Sequence, residues 1–288
     1  MSLRKLMKLN ARRALRGNWS RACAIVLLCF AVLLLFLLLE GLLTAVLDLP
    51  AFLDLTDTPD VALDDLPNAS PLALTVLTSL SLLCLMVSAP LELGALRWYY
   101  RLGDARIDEV SAVFEYFSSL RLFFRAFWLR IHVGVRSALW LCLFLAPATA
   151  LIAFSSAASD AARSDSESLL SACGFALAIP LGLLSLVLAL IWCMRYTLAP
   201  FALADEPDSS ARLAIQRSIS ASQGHRVSLL LLELSLLGWR LLSLLMVTRL
   251  YTQPYLQTVR GINARYLFLL CERAKPPAAP DGNSARSV

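Results

Sequence analysis

Long apolar runs separated by short polar segments dominate the hydrophobic pattern of this 288-residue chain. About 20 consecutive apolar residues are enough for a helix to cross the hydrocarbon core of a bilayer. We predict about six membrane-spanning helices, at residues 22–46, 71–93, 133–154, 169–194, 227–247 and 254–271. The pattern therefore predicts an all-α fold, a polytopic helical bundle in a membrane, with residues 1–275 as a single domain.

The sixth run is less apolar than the others, because Gln257, Arg260 and Asn263 interrupt it. Such side chains are expected to face protein rather than lipid. The basic residues after the run, Arg273 and Lys275, favour a crossing that returns the chain to the side of its N-terminus. We therefore prefer six spans to five.

Two segments outside the spans carry predictions of their own. Apolar and aromatic residues recur at helical spacing over residues 107–131, which favours an amphipathic helix in the membrane interface. The alternative is a helix that packs on the rest of the protein. Residues 276–288 are rich in Pro, Ala, Gly and Ser, and we predict a disordered tail.

The placement of charge orients the predicted bundle. Residues 1–21 contain seven Lys or Arg and no acidic residue, whereas residues 47–70 contain six Asp and no basic residue. Because loops rich in Lys and Arg stay on the cytoplasmic side, the N-terminus is predicted to be cytoplasmic and segment 47–70 to lie outside. Six spans place the C-terminus in the cytoplasm as well.

Composition narrows the class of protein further. Hydrophobic residues make up 58% of the chain and charged residues 16%, which is too apolar for an ordinary soluble protein. The basic residues are not gathered on one solvated face, so nucleic acid is not a predicted partner. The two histidines, His132 and His225, have no metal-ligand spacing around them, and no nucleotide-binding motif occurs. We predict no catalytic residue, no metal and no cofactor, hence a non-enzymatic protein.

Charged residues inside the predicted spans are the candidate functional residues. An ionisable side chain in a span usually faces a partner or a wet cavity. Glu233 and Arg240 lie seven residues apart and therefore share one helix face. With both helices starting inside, Glu40 and Arg240 are predicted to reach the outer leaflet, where they could pair. The candidate intramembrane polar cluster comprises Glu40, Glu233, Arg240, Arg260 and Arg265.

This cluster has two interpretations. Ion pairs that hold helices together, with outward snorkelling of Glu40 or Arg240, form the structural interpretation, which we favour. The functional interpretation is a polar path or a site for a lipid headgroup.

The elbow between the fourth and fifth runs carries a resemblance to a known family. It contains Arg195, Tyr196, Pro200, Asp205 and Pro207, followed by Gly224, His225 and Trp239. Asp205 and Pro207 are predicted to start a short helix. The elbow, together with "ALRGNW" at 14–19, "APLELG" at 89–94 and "QPYLQTVRGINARY" at 253–266, resembles the bacterial membrane-protein family called domain of unknown function 975.

The resemblance implies a multi-pass protein of the bacterial cytoplasmic (inner) membrane, and the family has no assigned activity. Two hypotheses follow. One is a non-enzymatic protein that binds membrane lipid or a membrane partner. The other is a small transporter or permease-like protein with a polar path near Glu40, Glu233 and Arg240. Charged side chains that converge on a hydrated cavity at mid-depth of the membrane would favour transport, and a dry core would disfavour it.

Overall fold

The computed structural model of the chain describes residues 3–46, 71–161 and 165–274. In this part of the chain every regular element is a helix. The acidic segment 47–70 and the predicted tail 276–288 lie outside the described residues.

Four long helices form the body of the molecule. After α1 (Leu3–Leu15) they are α2 (Trp19–Val46), α3 (Pro71–Leu102), α4 (Leu120–Ala161) and α5 (Asp165–Cys193). Four segments are long and apolar enough to cross a membrane, namely Trp19–Val46, Thr75–Leu102, Leu120–Ser159 and Ser171–Asp205. They overlap the first four predicted spans and indicate a membrane protein. The count of about six is not confirmed.

The single helix predicted over residues 107–131 is wrong. A 3-10 helix occupies Val110–Phe117, and α4 begins at Leu120 and runs on through the third predicted span. The 3-10 helix lies so close to α3 that a Cβ added at Gly94 would overlap the Val113 carbonyl oxygen. Tyr116 is fully buried, and its hydroxyl donates to the Leu203 carbonyl at 3.3 Å. Val113 and Tyr116 therefore pack on protein, whereas Phe114, Phe124 and Trp128 are exposed, so the location in the membrane interface stays a prediction.

The elbow after α5 contains a 3-10 turn (Met194–Tyr196), α6 (Ala199–Asp205) and α7 (Ala211–Ser222). The prediction that Asp205 and Pro207 start a helix is wrong, because Asp205 ends α6. Ser210 caps α7 instead, and its hydroxyl accepts from the Leu213 amide at 3.3 Å. The Pro207 carbonyl accepts from Arg125 on α4 at 3.0 Å. Gly224 has a φ of +76°, a conformation that glycine adopts without strain, and it turns the chain into the next helix.

The fifth predicted span is not one continuous helix. It is divided into α8 (Arg226–Ser235) and α9 (Leu237–Leu242), which are about 15 Å and 9 Å long. Residues 243–245 then turn the chain into α10 (Met246–Ala274), which contains the sixth predicted span. Neither α8, α9 nor α10 is among the four long apolar segments.

Buried side chains concentrate where these shorter helices meet the first turns of α2. Lys8 of α1 donates to the Ser235 carbonyl at 3.0 Å, and the Trp19 ring stacks on Tyr251 with 4.3 Å between centroids. The Tyr99 hydroxyl of α3 donates to the Ala22 carbonyl at 2.9 Å. We call this region, from α1 through the start of α2, the end of α3, the elbow and α8–α10, the packed end.

The opposite portions of the four long helices bury few side chains. We call them the apolar end, which comprises residues 34–46 of α2, 75–87 of α3, 143–159 of α4 and 169–187 of α5. In the most apolar stretch of each long segment, only 6–28% of the residues are buried.

Candidate functional site

A cavity of about 640 Å³ lies at the packed end, between α2, α3, α4 and α8–α10. Its volume falls in the range of about 300–1,000 Å³ that is usual for ligand sites. Part of its lining is apolar and includes Phe30, Leu33, Leu91 and Leu229. We call this cavity the polar cavity, because the rest of its lining consists largely of the charged and amide side chains described next.

The polar wall is built mainly by one face of α10. Its side chains recur every three or four residues, the spacing that places residues on one side of a helix. They are Arg249, Gln253, Gln257, Arg260 and Asn263. From first to last they extend about 21 Å along the helix axis. α10 is more polar than an ordinary membrane span because these polar residues line the cavity.

Glu233 joins this wall to α8 and α9. Arg260 donates to both of its carboxylate oxygens, from Nε and Nη2, each at 2.9 Å. Arg240 Nη2 lies 2.8 Å from Glu233 Oε2. The side chains of Glu233 and Arg260 are 17% and 21% exposed, whereas Arg240 is 48% exposed. Two hydrogen bonds to Glu233 thus fix the position of the Arg260 guanidinium, whereas the Arg240 guanidinium contacts Glu233 through one nitrogen and is about half exposed.

The electrostatic balance of the polar cavity is positive. A second ion pair, Arg130 to Glu92 at 3.2 Å, lines the wall formed by α3 and α4. The lining therefore has four arginines and two glutamates, a net charge of two positive. Arg249 is exposed and makes no ion pair with any residue that the structure describes. An anion is the ligand that this balance favours.

Two further details concern single groups of the cavity. The side-chain oxygen of Gln257 is buried and has no hydrogen-bond partner in the described part of the chain. Burial raises the pKa of the Glu233 carboxyl, which lies outside the four apolar segments, and the charge of Arg240 opposes that rise.

The structure divides the predicted polar cluster. Glu233, Arg240 and Arg260 meet, but Glu40 lies 17 residues beyond Cys23 on α2, about 25 Å farther along the helix. Cys23 contacts the Leu250 carbonyl at the packed end, so Glu40 lies toward the apolar end. The predicted pair of Glu40 and Arg240 is therefore wrong, since Arg240 pairs with Glu233.

Arg265 belongs to a different contact. It forms an ion pair with Asp104, and its guanidinium lies 4.5 Å from the centroid of the Tyr100 ring. Arg265 does not line the polar cavity. Five residues separate it from Arg260, which turns it to another side of α10.

The elbow residues mostly stabilise the fold around the cavity. Tyr196 is buried, and its hydroxyl accepts from Trp140 Nε1 at 3.1 Å. Pro200 lies in the first turn of α6, where proline fits a helix, and it lines the polar cavity. His225 precedes α8, and the Trp239 ring packs on Tyr255 at 5.2 Å. Among the elbow residues that carry the family resemblance, Pro200 therefore contributes to the lining of the cavity.

Asp205 takes part in an ionic network at the surface of the packed end. Arg217 of α7 contacts Asp205 at 3.0 Å, Glu206 at 2.9 Å and Glu272 of α10 at 3.0 Å. The Tyr100 hydroxyl donates to Asp205 at 3.2 Å. Burial alone would lower the pKa of Arg217, but the attraction from these three carboxylates together outweighs burial and raises the pKa. This network ties α6, α7 and α10 together.

Several residues of the polar cavity could not be recognised from the sequence. Arg249 and Gln253 fall between the predicted fifth and sixth spans and were therefore not assigned to the cluster. Their spacing of four residues, which continues through Gln257, was the available signal. Glu92 and Arg130 belong to distant segments, and their meeting could not be inferred from local spacing.

The match to a known family is extensive. The family model described as "Protein of unknown function (DUF975)" matches residues 1–267. No curated protein and no solved structure matches the chain. The match includes the elbow and the α10 segment on which the resemblance was based, and the chain therefore belongs to the DUF975 family.

Proposed function

We propose that this protein is a non-enzymatic membrane protein that holds an anionic lipid in the polar cavity. The observation that carries the proposal is a cavity whose lining combines apolar side chains with the polar face of α10 and Arg240 of α9, and in which Arg240 and Arg249 are incompletely paired. A lipid has the matching structure, because it combines a charged headgroup with apolar chains.

The two walls support an amphiphile rather than a small soluble anion. Phe30, Leu33 and Leu91 provide apolar surface for acyl chains, which gain free energy when they leave water. A small hydrophilic anion would leave this surface without a contact. The polar part of the lining supplies guanidinium and amide groups for a phosphate.

Arg240 and Arg249 are the residues that we assign to the headgroup. Arg240 makes one ion pair and is about half exposed, and Arg249 makes none in the described part of the chain. Arg260 is occupied by its two hydrogen bonds to Glu233 and is assigned a positioning role. Guanidinium groups suit phosphate oxygens because they donate two parallel hydrogen bonds.

The proposed location is the cytoplasmic membrane of a bacterium, with the packed end at the cytoplasmic side. The seven basic residues before position 22 support this orientation, since anionic lipids of the cytoplasmic leaflet attract basic segments. Both termini are then cytoplasmic. The lipid headgroup lies in the inner leaflet, and its chains extend toward the apolar end.

Native mass spectrometry tests the proposal with the full chain in detergent, incubated with phosphatidylglycerol or phosphatidylcholine. The wild type is expected to retain phosphatidylglycerol preferentially, and R240Q/R249Q to retain one molecule fewer. The double variant leaves the Glu233–Arg260 pair intact, so folding is expected to persist. R121Q is the matched control, because Arg121 is exposed and lies outside the cavity. Equal retention of both lipids, or full retention by R240Q/R249Q, would refute the proposal.

Transport of the lipid is the second candidate function. The observation in its favour is the length of the polar stripe, about 21 Å, which resembles a track more than a single binding point. Transport predicts that liposomes containing the wild type move a fluorescent phosphatidylglycerol between leaflets, whereas liposomes containing R240Q/R249Q do not. Retention without movement would support the binding protein alone.

A further inference from the structure

Two arginines share one aromatic ring at the junction of α5, the elbow and α8. The guanidinium carbon of Arg226 lies 4.9 Å from the centroid of the Trp192 ring, and that of Arg195 lies 5.3 Å from it. Both distances are within the range of a cation–π contact. Two positive charges are thus held beside one indole.

No carboxylate in the described part of the chain balances these two charges. The ion pairs there involve other basic residues, and neither Arg195 nor Arg226 takes part in one. Arg217, by contrast, contacts three carboxylates. Since both guanidinium carbons lie near one ring, they are at most about 10 Å apart, and an anion near both would be stabilised by both charges.

Three buried donors at this place also have no acceptor. They are Nε of Arg195, Nε of Arg226 and the indole Nε1 of Trp192, none of which has a hydrogen-bond partner in the described chain. Buried donors in proteins nearly always have a partner. Three such donors on neighbouring side chains, two of them cationic, favour an acceptor that carries negative charge.

The start of α8 adds to the attraction for an anion. Arg226 is its first residue, and His225 before it makes no side-chain capping bond. The first amide groups of a ten-residue helix are partly positive and attract anions. This is supporting evidence, because the arginine pair and the three donors already point to the same ligand.

This place is separate from the polar cavity. Leu190 of α5 and Met194 of the following 3-10 turn line the cavity, whereas Trp192, Arg195 and Arg226 do not. Residues at 190 and 194 share one face of the chain there, and Trp192 lies on another. Binding at the two places can therefore be measured independently.

We propose that Arg195, Arg226 and Trp192 form a second anion site, which binds a phosphate group. The group is either the phosphate of a membrane lipid or free phosphate, since the donors recognise the shared chemistry. Two guanidinium groups and one indole N–H donate to its oxygens, and the bound charge relieves the repulsion between the arginines.

Thermal unfolding of the full chain in dodecyl maltoside tests this site, with dioleoylphosphatidylglycerol, dioleoylphosphatidylcholine or inorganic phosphate added. We expect an anion to raise the unfolding temperature of the wild type. R226Q is expected to unfold no earlier than the wild type without an anion, because it removes a repulsion, and to show a much smaller rise with one. R212Q, an exposed arginine of α7 without an ion pair, is the matched control and keeps the full rise.

The outcomes separate the sources of the phosphate. A rise that depends on Arg226 with phosphatidylglycerol alone identifies a lipid headgroup, and the same rise with inorganic phosphate identifies the free ion. The site is refuted if no probe gives a rise that depends on Arg226, or if R226Q lowers the unfolding temperature equally with and without the anion.

W192F provides a second variant, which keeps an aromatic ring for both arginines and removes only the indole donor. It is expected to reduce the anion-dependent rise even where R226Q does not fold, and an unchanged rise in W192F would then refute the site. R240Q/R249Q is expected to keep the rise caused by this site. A failure of the polar-cavity proposal therefore leaves this result unaffected.

Discussion

The packed end and the apolar end bury their leucines to opposite degrees. Leu203 of α6 is completely buried at the packed end, whereas Leu38 of α2 is 64% exposed at the apolar end. Both are ordinary apolar residues in helices. At the packed end they hold elements together, and at the apolar end they make the surface compatible with lipid. The same residue type therefore serves two purposes, and only packing tells them apart.

Charged residues show the same contrast. At the packed end Glu233 has two arginine partners, and Arg217 has three carboxylate partners. At the apolar end Glu40 has no ion pair within the described part of the chain. In the described part of the chain, these ion pairs thus lie at the packed end, where the helices are short and interrupted. The apolar portions of the long helices contribute little to them.

The largest expected effect is on the free energy of unfolding, when the same substitution, Leu→Ala, is made at the packed end and at the apolar end. Leu203→Ala should lower the free energy of unfolding by about 2–4 kcal/mol, because it leaves a cavity among buried side chains. Leu38→Ala should change it by less than about 1 kcal/mol, since an exposed side chain loses few protein contacts. Unfolding of both variants in the same detergent measures the difference. Equal losses would contradict the division into a packed and an apolar end.

A second comparison uses the two glutamates. Glu233→Gln should destabilise by about 1–3 kcal/mol, because it removes the carboxylate that neutralises Arg240 and Arg260. Glu40→Gln should have an effect below about 0.5 kcal/mol. The substitution of Glu233 also makes the cavity more positive, so retention of phosphatidylglycerol should rise in any E233Q protein that folds. Native mass spectrometry measures that rise, and a fall in retention would argue against an anionic ligand.

The smallest expected effect concerns the surface network of the packed end. Arg217→Gln should cost about 1 kcal/mol, because the remaining carboxylates of Asp205, Glu206 and Glu272 lose their common partner. The loss should shrink as salt is raised, since screening weakens interactions between partly exposed charges. Arg212→Gln on the same helix should be neutral at any salt concentration. Chemical unfolding at two ionic strengths decides whether the network stabilises α6, α7 and α10.

The long helices could be predicted from sequence because their apolar runs exceed the length that a bilayer requires. The helices of the packed end could not. Residues 227–247 have the composition of a span, yet Leu236 interrupts them with a φ of −100° and a ψ of −3°. Leu236 is fully buried against protein. Hydropathy registers the loss of water and does not distinguish protein neighbours from lipid.

Part of the candidate site could also be predicted from the hydropathy pattern. Glu233, Arg240 and Arg260 stood out as charges in apolar surroundings, and the structure brings these three together. The proposed partner of Arg240 was wrong because Glu40 was placed by counting turns along two helices that were assumed to be straight spans. The break at Leu236 and the turn at residues 243–245 change the depth of everything after them.

The most direct test of the lipid-binding account is a cryo-EM structure of the full chain in nanodiscs that contain phosphatidylglycerol. The account predicts headgroup density within hydrogen-bonding distance of Arg240 and Arg249, with acyl-chain density along Phe30 and Leu33. A polar cavity without lipid density in such a structure, with the Glu233–Arg260 pair in place, would contradict it.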